Sequence, residues 1–394
     1  MNKYDFDAII ERRHTNSVKW DTNGNENILP MWVADMDFAA PPPVVEAIKK
    51  RAESGIFGYT FAPESYHEAV GEWLRKRHNM EVKAEWIKFG PGVVPALNML
   101  IRAYTEPGDK VIIQKPVYYP FFSAIENNHR QIADNPLKFA DGQYSMDFDD
   151  LESKAKDPQA KVLLLCSPHN PVGRVWTRAE LTTLGDICLR NGVIVIADEI
   201  HQDLIYRGHR HTVFATINEA FAQNSVTCTA PSKTFNLAGL QTSSIIIPNE
   251  RLRALYAAVL ESNSLTRPNI FGMVALEAAY RYGEEWLEQL LDYLQGNRDY
   301  LMDFVAQKMP QIKVIKPQGT YLAWMDFREL GFRGKALENF MLNKANLWLD
   351  EGYIFGNAGD GFERINIACP RATLAKALNQ LNSAVFSGLA VQYE

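Results

Sequence analysis

The sequence predicts an α/β protein, with a mostly parallel sheet, helices on both sides of it and a second, smaller α+β domain. Three observations carry that expectation. Val111-Ile-Ile-Gln114, Val162-Leu-Leu-Leu-Cys166, Val193-Ile-Val-Ile-Ala197 and Ser244-Ile-Ile-Ile247 are continuous apolar runs, as strands covered on both faces must be. From residue 86 onward helical patterns alternate with these runs, the order that builds a sheet between helical layers. At 394 residues the chain is also too long for one compact core, and two domains are the default.

In chain order, the first 30 residues are polar and irregular. Pro41 to Pro43 suit the entry to a helix over 44–54 that stops at Gly55. Residues 55–60 form a loop, and another helix covers 66–77. Ile87-Lys-Phe-Gly-Pro-Gly92 is a short strand and turn before a helix with Val94, Leu97, Leu100 and Ile101 on one face. Thr177-Arg-Ala-Glu180 is a capping box that opens a helix ending at Asn191-Gly192. Val226 and Cys228 mark a strand that Pro231 must end, since proline cannot continue a central ladder. Trp286, Leu290, Leu294, Leu301 and Phe304 recur at helical spacing over 283–309, long enough to bridge two domains. Val314, Ile315, residues 321–325 and residues 364–368 add strands to the second domain, which also takes in the N-terminal segment. The expected division is a large domain over 49–287 and a small one over 1–48 with 288–394.

Composition bounds the function. With 46% hydrophobic and 22% charged residues the chain reads as a soluble globular protein. A net charge of −6 argues against a nucleic-acid or anionic-membrane surface. The start lacks an apolar signal core, and no stretch approaches the roughly 18 apolar residues of a membrane span. Cys166, Cys188, Cys228 and Cys369 lie far apart, and Cys166 and Cys228 fall in strand-like runs as small core residues. Neither zinc nor a disulfide framework is expected, and a reducing cytoplasm is the expected compartment. His209-Arg-His211 reads as a solvated loop, with no metal assigned.

Ligands of α/β sheets gather at the carboxyl ends of strands. Asn170 follows one apolar run within Cys166-Ser-Pro-His-Asn-Pro-Val-Gly173, Asp198 follows the next, and Lys233 follows the third. Singly, these are a turn residue, a helix cap and a surface lysine. Their joint order, with spacings of 28 and 35 residues, points to chemistry. A carboxylate, an amide and a lysine at neighbouring strand ends suit a pyridine-ring aldehyde cofactor: the carboxylate keeps the ring nitrogen protonated, the amide meets the phenolate oxygen, and the lysine condenses with the aldehyde.

These residues resemble the fold-type I, pyridoxal 5′-phosphate (PLP) enzymes of the aspartate aminotransferase superfamily, through Asn170-Pro-x-Gly173, Asp198 and Ser232-Lys233. Met31-Trp-Val-Ala-Asp-Met-Asp-Phe38, Pro116-Val-Tyr-Tyr-Pro-Phe121, Asp198-Glu-Ile-His201 and Thr229-Ala-Pro-Ser-Lys-Thr-Phe235 are closer still to its MalY/PatB subgroup, which contains cystathionine β-lyases and cystalysin-like C–S lyases. The resemblance implies a seven-stranded, mostly parallel sheet in the PLP-binding large domain. It places phosphate on the Gly92, Val93 and Val94 amides and the Ser232 hydroxyl, stacks Tyr118 on the ring, and leaves His201 as a cofactor neighbour. Arg364 grips the substrate α-carboxylate by a bidentate fork, and Ala34 is carried over as a second substrate-binding position. Tyr59, in Gly58-Tyr59-Thr60, matches a loop that crosses to the partner subunit's phosphate, which implies a homodimer with shared sites. Two departures stand out: Gln241 replaces a phosphate-binding arginine, and His201 replaces a tyrosine.

The activity so implied is α,β-elimination from cystathionine, cysteine or another S-substituted cysteine. Lys233 takes the Cα proton, and Tyr119 or the Lys233 ammonium protonates the leaving thiol. An aminotransferase on the same scaffold and a PLP-binding regulator are the other readings. A pure binding module need not keep Lys233, Asp198 and Arg364 together.

Overall fold

The structure, a computed structural model, describes residues 4–392. Its principal sheet has seven strands in the order Ile87–Gly90, Ser243–Ile246, Ser225–Thr229, Ile194–Asp198, Ala160–Cys166, Lys110–Ile113 and Gln131–Asp134. Ser243–Ile246 runs antiparallel to both its neighbours and the other six strands run parallel. The edge strand Gln131–Asp134 is one the apolar-run criterion misses, because it is half exposed and carries a charge.

Alternate residues of the central strands enter different cores, which is why their sequence is apolar without a break. Val162 and Leu164 pack with the helices Val93–Tyr104 and Glu250–Ser262 on one side. Leu163 and Leu165 pack with the helix Arg178–Arg190 on the other. That last helix opens on the expected capping box: Thr177 Oγ1 accepts the Glu180 N–H at 3.2 Å, and Glu180 Oε2 accepts the Thr177 N–H at 2.8 Å.

A second, four-stranded antiparallel sheet takes the order Lys313–Ile315, Leu322–Asp326, Phe362–Asn366 and Asp350–Glu351. The 25-residue helix Glu284–Lys308 precedes it. Leu29–Pro30 pairs in parallel with Leu347–Trp348, which ties the N-terminal segment to this part of the chain. Among the described residues no helix is long and apolar enough to cross a membrane.

Candidate active site

Register aligns the three strand ends. Asp198 lies opposite Cys166 on one side and Cys228 on the other. The segments that leave these strands therefore open at one edge of the sheet, onto a cavity of about 420 Å³. Asn170, Asp198 and Lys233 all line it, as do Gly92, Val93, Val94, Tyr118, His201, Ser232 and Ala34.

Lys233 sits on a single helical turn, Pro231–Thr234, directly after the strand Ser225–Thr229. Its Nζ donates to the Ala34 carbonyl at 2.7 Å, which also accepts from the Tyr321 hydroxyl at 2.9 Å. Burial draws the ammonium down to about 8, and nearby Arg364 adds to the effect while Asp35 and Asp198 oppose it. The next residue anchors the turn. Thr234 Oγ1 donates to Asp203 Oδ2 at 2.9 Å, and the buried Asp203 also takes Trp73 Nε1 at 3.2 Å and pairs with His78 Nε2 at 2.7 Å.

Ala34 is held just as firmly. Asp35 and Asp37, which follow it, bond Arg12, each at 2.7 Å, and Asp37 pairs with buried Lys19 at 2.8 Å. Asn366 Nδ2 caps the Val33 and Asp35 carbonyls at 2.7 and 2.6 Å. The polar positions of the 31–38 motif are thus spent on fixing one backbone carbonyl beside Lys233.

Asp198 is buried, and burial raises its carboxyl to about 7 despite the Ile200 N–H at 3.2 Å and the nearby Lys233. His201 is buried too, which holds its imidazole well below its usual range and hence neutral. Its Nδ1 has no partner among the described residues. Opposite them the helix Val93–Tyr104 begins at Gly92, whose φ of +105° suits glycine. No side chain caps this helix, so the first-turn amides and the positive end of its dipole face the cavity unspent.

Arg364 is almost fully buried and approaches from the second sheet. Its Nη1 donates to Asn170 Oδ1 at 2.9 Å, and Nη2 donates to the Trp32 carbonyl at 3.0 Å and to the Asp350 carboxylate. Asn170 thereby accepts through its oxygen and keeps its N–H₂ for the cavity.

Residues 26–381 match the family described as aminotransferase class I and II. The chain belongs to that family. Within it, cystathionine beta-lyase PatB of Bacillus subtilis is 47% identical over 384 residues, covering 96% of this chain and 99% of that protein. Protein MalY of Escherichia coli is 34% identical over 389 residues, with coverage of 97% and 99%. The crystal structure of cystalysin from Treponema denticola, which contains a pyridoxal 5′-phosphate cofactor, superposes with a TM-score of 0.95 at 42% identity, covering 98% and 99%.

Three residues named for this family's site are not among those that line the cavity: Arg364, which stands behind the lining residue Asn170, Tyr119 and Tyr59. Tyr119 packs its ring 5.6 Å from both Tyr118 and Phe355. Tyr59 is 94% exposed and lies under the Arg267 guanidinium at 5.2 Å. The reading of His209-Arg-His211 as a solvated loop needs correction. His209 and Arg210 are exposed, but His211 is buried, with Nε2 3.4 Å from Glu199. Sequence reasoning also missed Asp350, the acid on Arg364. Its one signal was an acid closing the apolar run Leu347-Trp-Leu349.

Proposed function

We propose that the protein is a PLP-dependent C–S β-lyase that cleaves cystathionine, cysteine or related S-substituted cysteines. The observation that carries this reading is the meeting of Lys233, Asp198 and Asn170 in one cavity, in a chain similar along its whole length to PatB, MalY and cystalysin. The donor set fits the cofactor. Unspent amides of Val93 and Val94 and the Ser232 hydroxyl would hold its phosphate at a helix N-terminus. Asp198 would meet the ring nitrogen, the Asn170 amide the phenolate oxygen, Tyr118 the ring face and Lys233 the aldehyde. His201 contributes a neutral, unpartnered nitrogen beside them. Gln241 lines the same cavity without adding a cation.

When bound, PLP supplies a ring that accepts the electron pair left at the substrate Cα. The chain does the rest. Arg364 takes the α-carboxylate, with Ala34 beside it, and so fixes the Cα–H bond relative to Lys233. Lys233, drawn down to about 8, is a base matched to neutral pH and removes that proton. The Cβ–S bond then breaks, and the sulfur leaves with a proton from the Lys233 ammonium or the Tyr119 hydroxyl. The remaining three-carbon fragment hydrolyses to pyruvate and ammonia.

The same reading makes the protein a cytoplasmic homodimer in which Tyr59 reaches the neighbouring copy's phosphate site. Its support is the exposed run Ile56, Phe57, Tyr59 and Phe61, at 73, 57, 94 and 78%, an apolar surface of the kind a partner covers. The division into 49–287 and 1–48 with 288–394 belongs to the same proposal; its boundaries fall inside the helices Pro42–Glu53 and Glu284–Lys308. The test is thiol release from a panel of S-substituted cysteines with keto acid withheld. Thiol from several of them is expected. Turnover only with a keto acid, and no thiol, transfers the protein to the aminotransferase reading.

A further inference from the structure

The donors of Arg364 do not add up to a free fork. Nη2 spends its two hydrogens on the Trp32 carbonyl and the Asp350 carboxylate, Nη1 spends one on Asn170, and buried Nε has no partner among the described residues. A two-pronged grip on a carboxylate uses Nη2 together with Nε or Nη1. A substrate carboxylate therefore obtains the fork only if one partner of Nη2 gives way.

The Trp32 carbonyl is the fixed one. Met31 N–H bonds the Trp348 carbonyl at 2.8 Å, Asn366 N–H bonds the Met31 carbonyl at 2.8 Å, and the Trp32 ring stacks on Trp348 at 4.3 Å. Asp350 is a side chain on a two-residue strand, opposite Arg364 in register, and is the acid paired with that guanidinium among the described residues. Its charge has poor company. Glu351 and Glu363 face each other in the next register position, and the Arg364 guanidinium is the cation that offsets the burial of Asp350.

We propose that Asp350 is a built-in stand-in for the substrate α-carboxylate: it occupies the Arg364 fork in the resting enzyme and is displaced from Nη2 when the substrate binds. This rests on the reading of Arg364 as the carboxylate grip. In this role Asp350 satisfies a buried guanidinium that would otherwise stand uncompensated. It also sets how tightly an incoming carboxylate is held, because the two anions compete for the same donor.

The experiment uses the holoenzyme and L-alanine, which has the α-carboxylate but no leaving group, and reads binding from the change in visible absorption. Asp350→Asn keeps an oxygen for Nη2 and loses the charge. It is expected to bind L-alanine on the order of tenfold more tightly than wild type, with binding of ethylamine, which lacks a carboxylate, unchanged. Unchanged or weaker binding of L-alanine overturns the proposal and makes Asp350 a simple support of the guanidinium. Asp350→Ala adds a second arm in case the first variant folds poorly. In it, acetate is expected to compete with L-alanine at concentrations that leave wild type unaffected, and lack of competition counts against displacement. Arg364→Gln separates the two claims. If it leaves L-alanine affinity untouched, the carboxylate-grip reading itself fails, whatever the Asp350 variants do.

Discussion

At Lys233 the proposed role sets two demands against each other on one amine: it must be neutral to condense with an aldehyde and to take a proton, yet it sits near two acids that favour its charge. Burial and Arg364 win, and the amine is drawn to about 8. The sign of the consequence is fixed. A lowered lysine is neutral at lower pH, so the rate at which apoenzyme takes up PLP should climb with pH and level off a little above 8. A climb that continues to the ordinary lysine range near 10.4 contradicts the burial account. Lys233→Ala should lose the visible absorption of the holoenzyme and lower turnover by roughly three orders of magnitude. Borohydride reduction followed by peptide mapping should mark Lys233, and a label on another lysine displaces the assignment. This residue was legible because Pro231 ends its strand and because Asn170 and Asp198 precede it at strand ends. Asp350 was not legible, since the register that sets it opposite Arg364 is a long-range pairing no local pattern encodes. His211 failed for a related reason: its polar neighbours look solvated, while the groups it meets, Glu199 and His78, lie elsewhere in the chain.

Elements differ in how much of their form the local sequence decides. The doubly buried strands and the Thr177 capping box announce themselves, since burial on both faces leaves no polar position and the box needs only four residues. The strands Asp350–Glu351 and Gln131–Asp134 are short and partly polar, and pairing alone makes them strands. Two glycines test the packing around them. A Cβ on Gly352, just past Asp350, would collide with the carbonyl oxygens of Gly359 and Phe362. Gly352→Ala should therefore lower stability by about 1–3 kcal/mol, read as a fall in the denaturation midpoint. Gly71 lies within the helix Glu64–His78 and a Cβ there meets the Val82 carbonyl oxygen at an ordinary 3.7 Å. Gly71→Ala should raise stability by about 0.5–1 kcal/mol through helix propensity alone. Opposite signs in the same assay support the packing described, and a stable Gly352→Ala protein argues against it.

For the whole molecule, the class of fold follows from the order of apolar runs, whereas the proposed assembly rests on one exposed loop. In the proposed dimer, Tyr59 in that loop would bring a hydroxyl to the phosphate of the neighbouring copy, where Gln241 adds no charge. Sedimentation should show a dimer, and Tyr59→Phe should weaken PLP retention several-fold by removing one donor. A fully active monomer, or unchanged PLP affinity in the variant, contradicts the shared site. Everything then converges on the fate of the substrate at the edge of the seven-stranded sheet. The most direct measurement is the stoichiometry of products from L-cystathionine with no keto acid present. Homocysteine, pyruvate and ammonia in equal amounts are the predicted result. Turnover that appears only when a keto acid is added, with no thiol released, would contradict the assignment of C–S cleavage to this site.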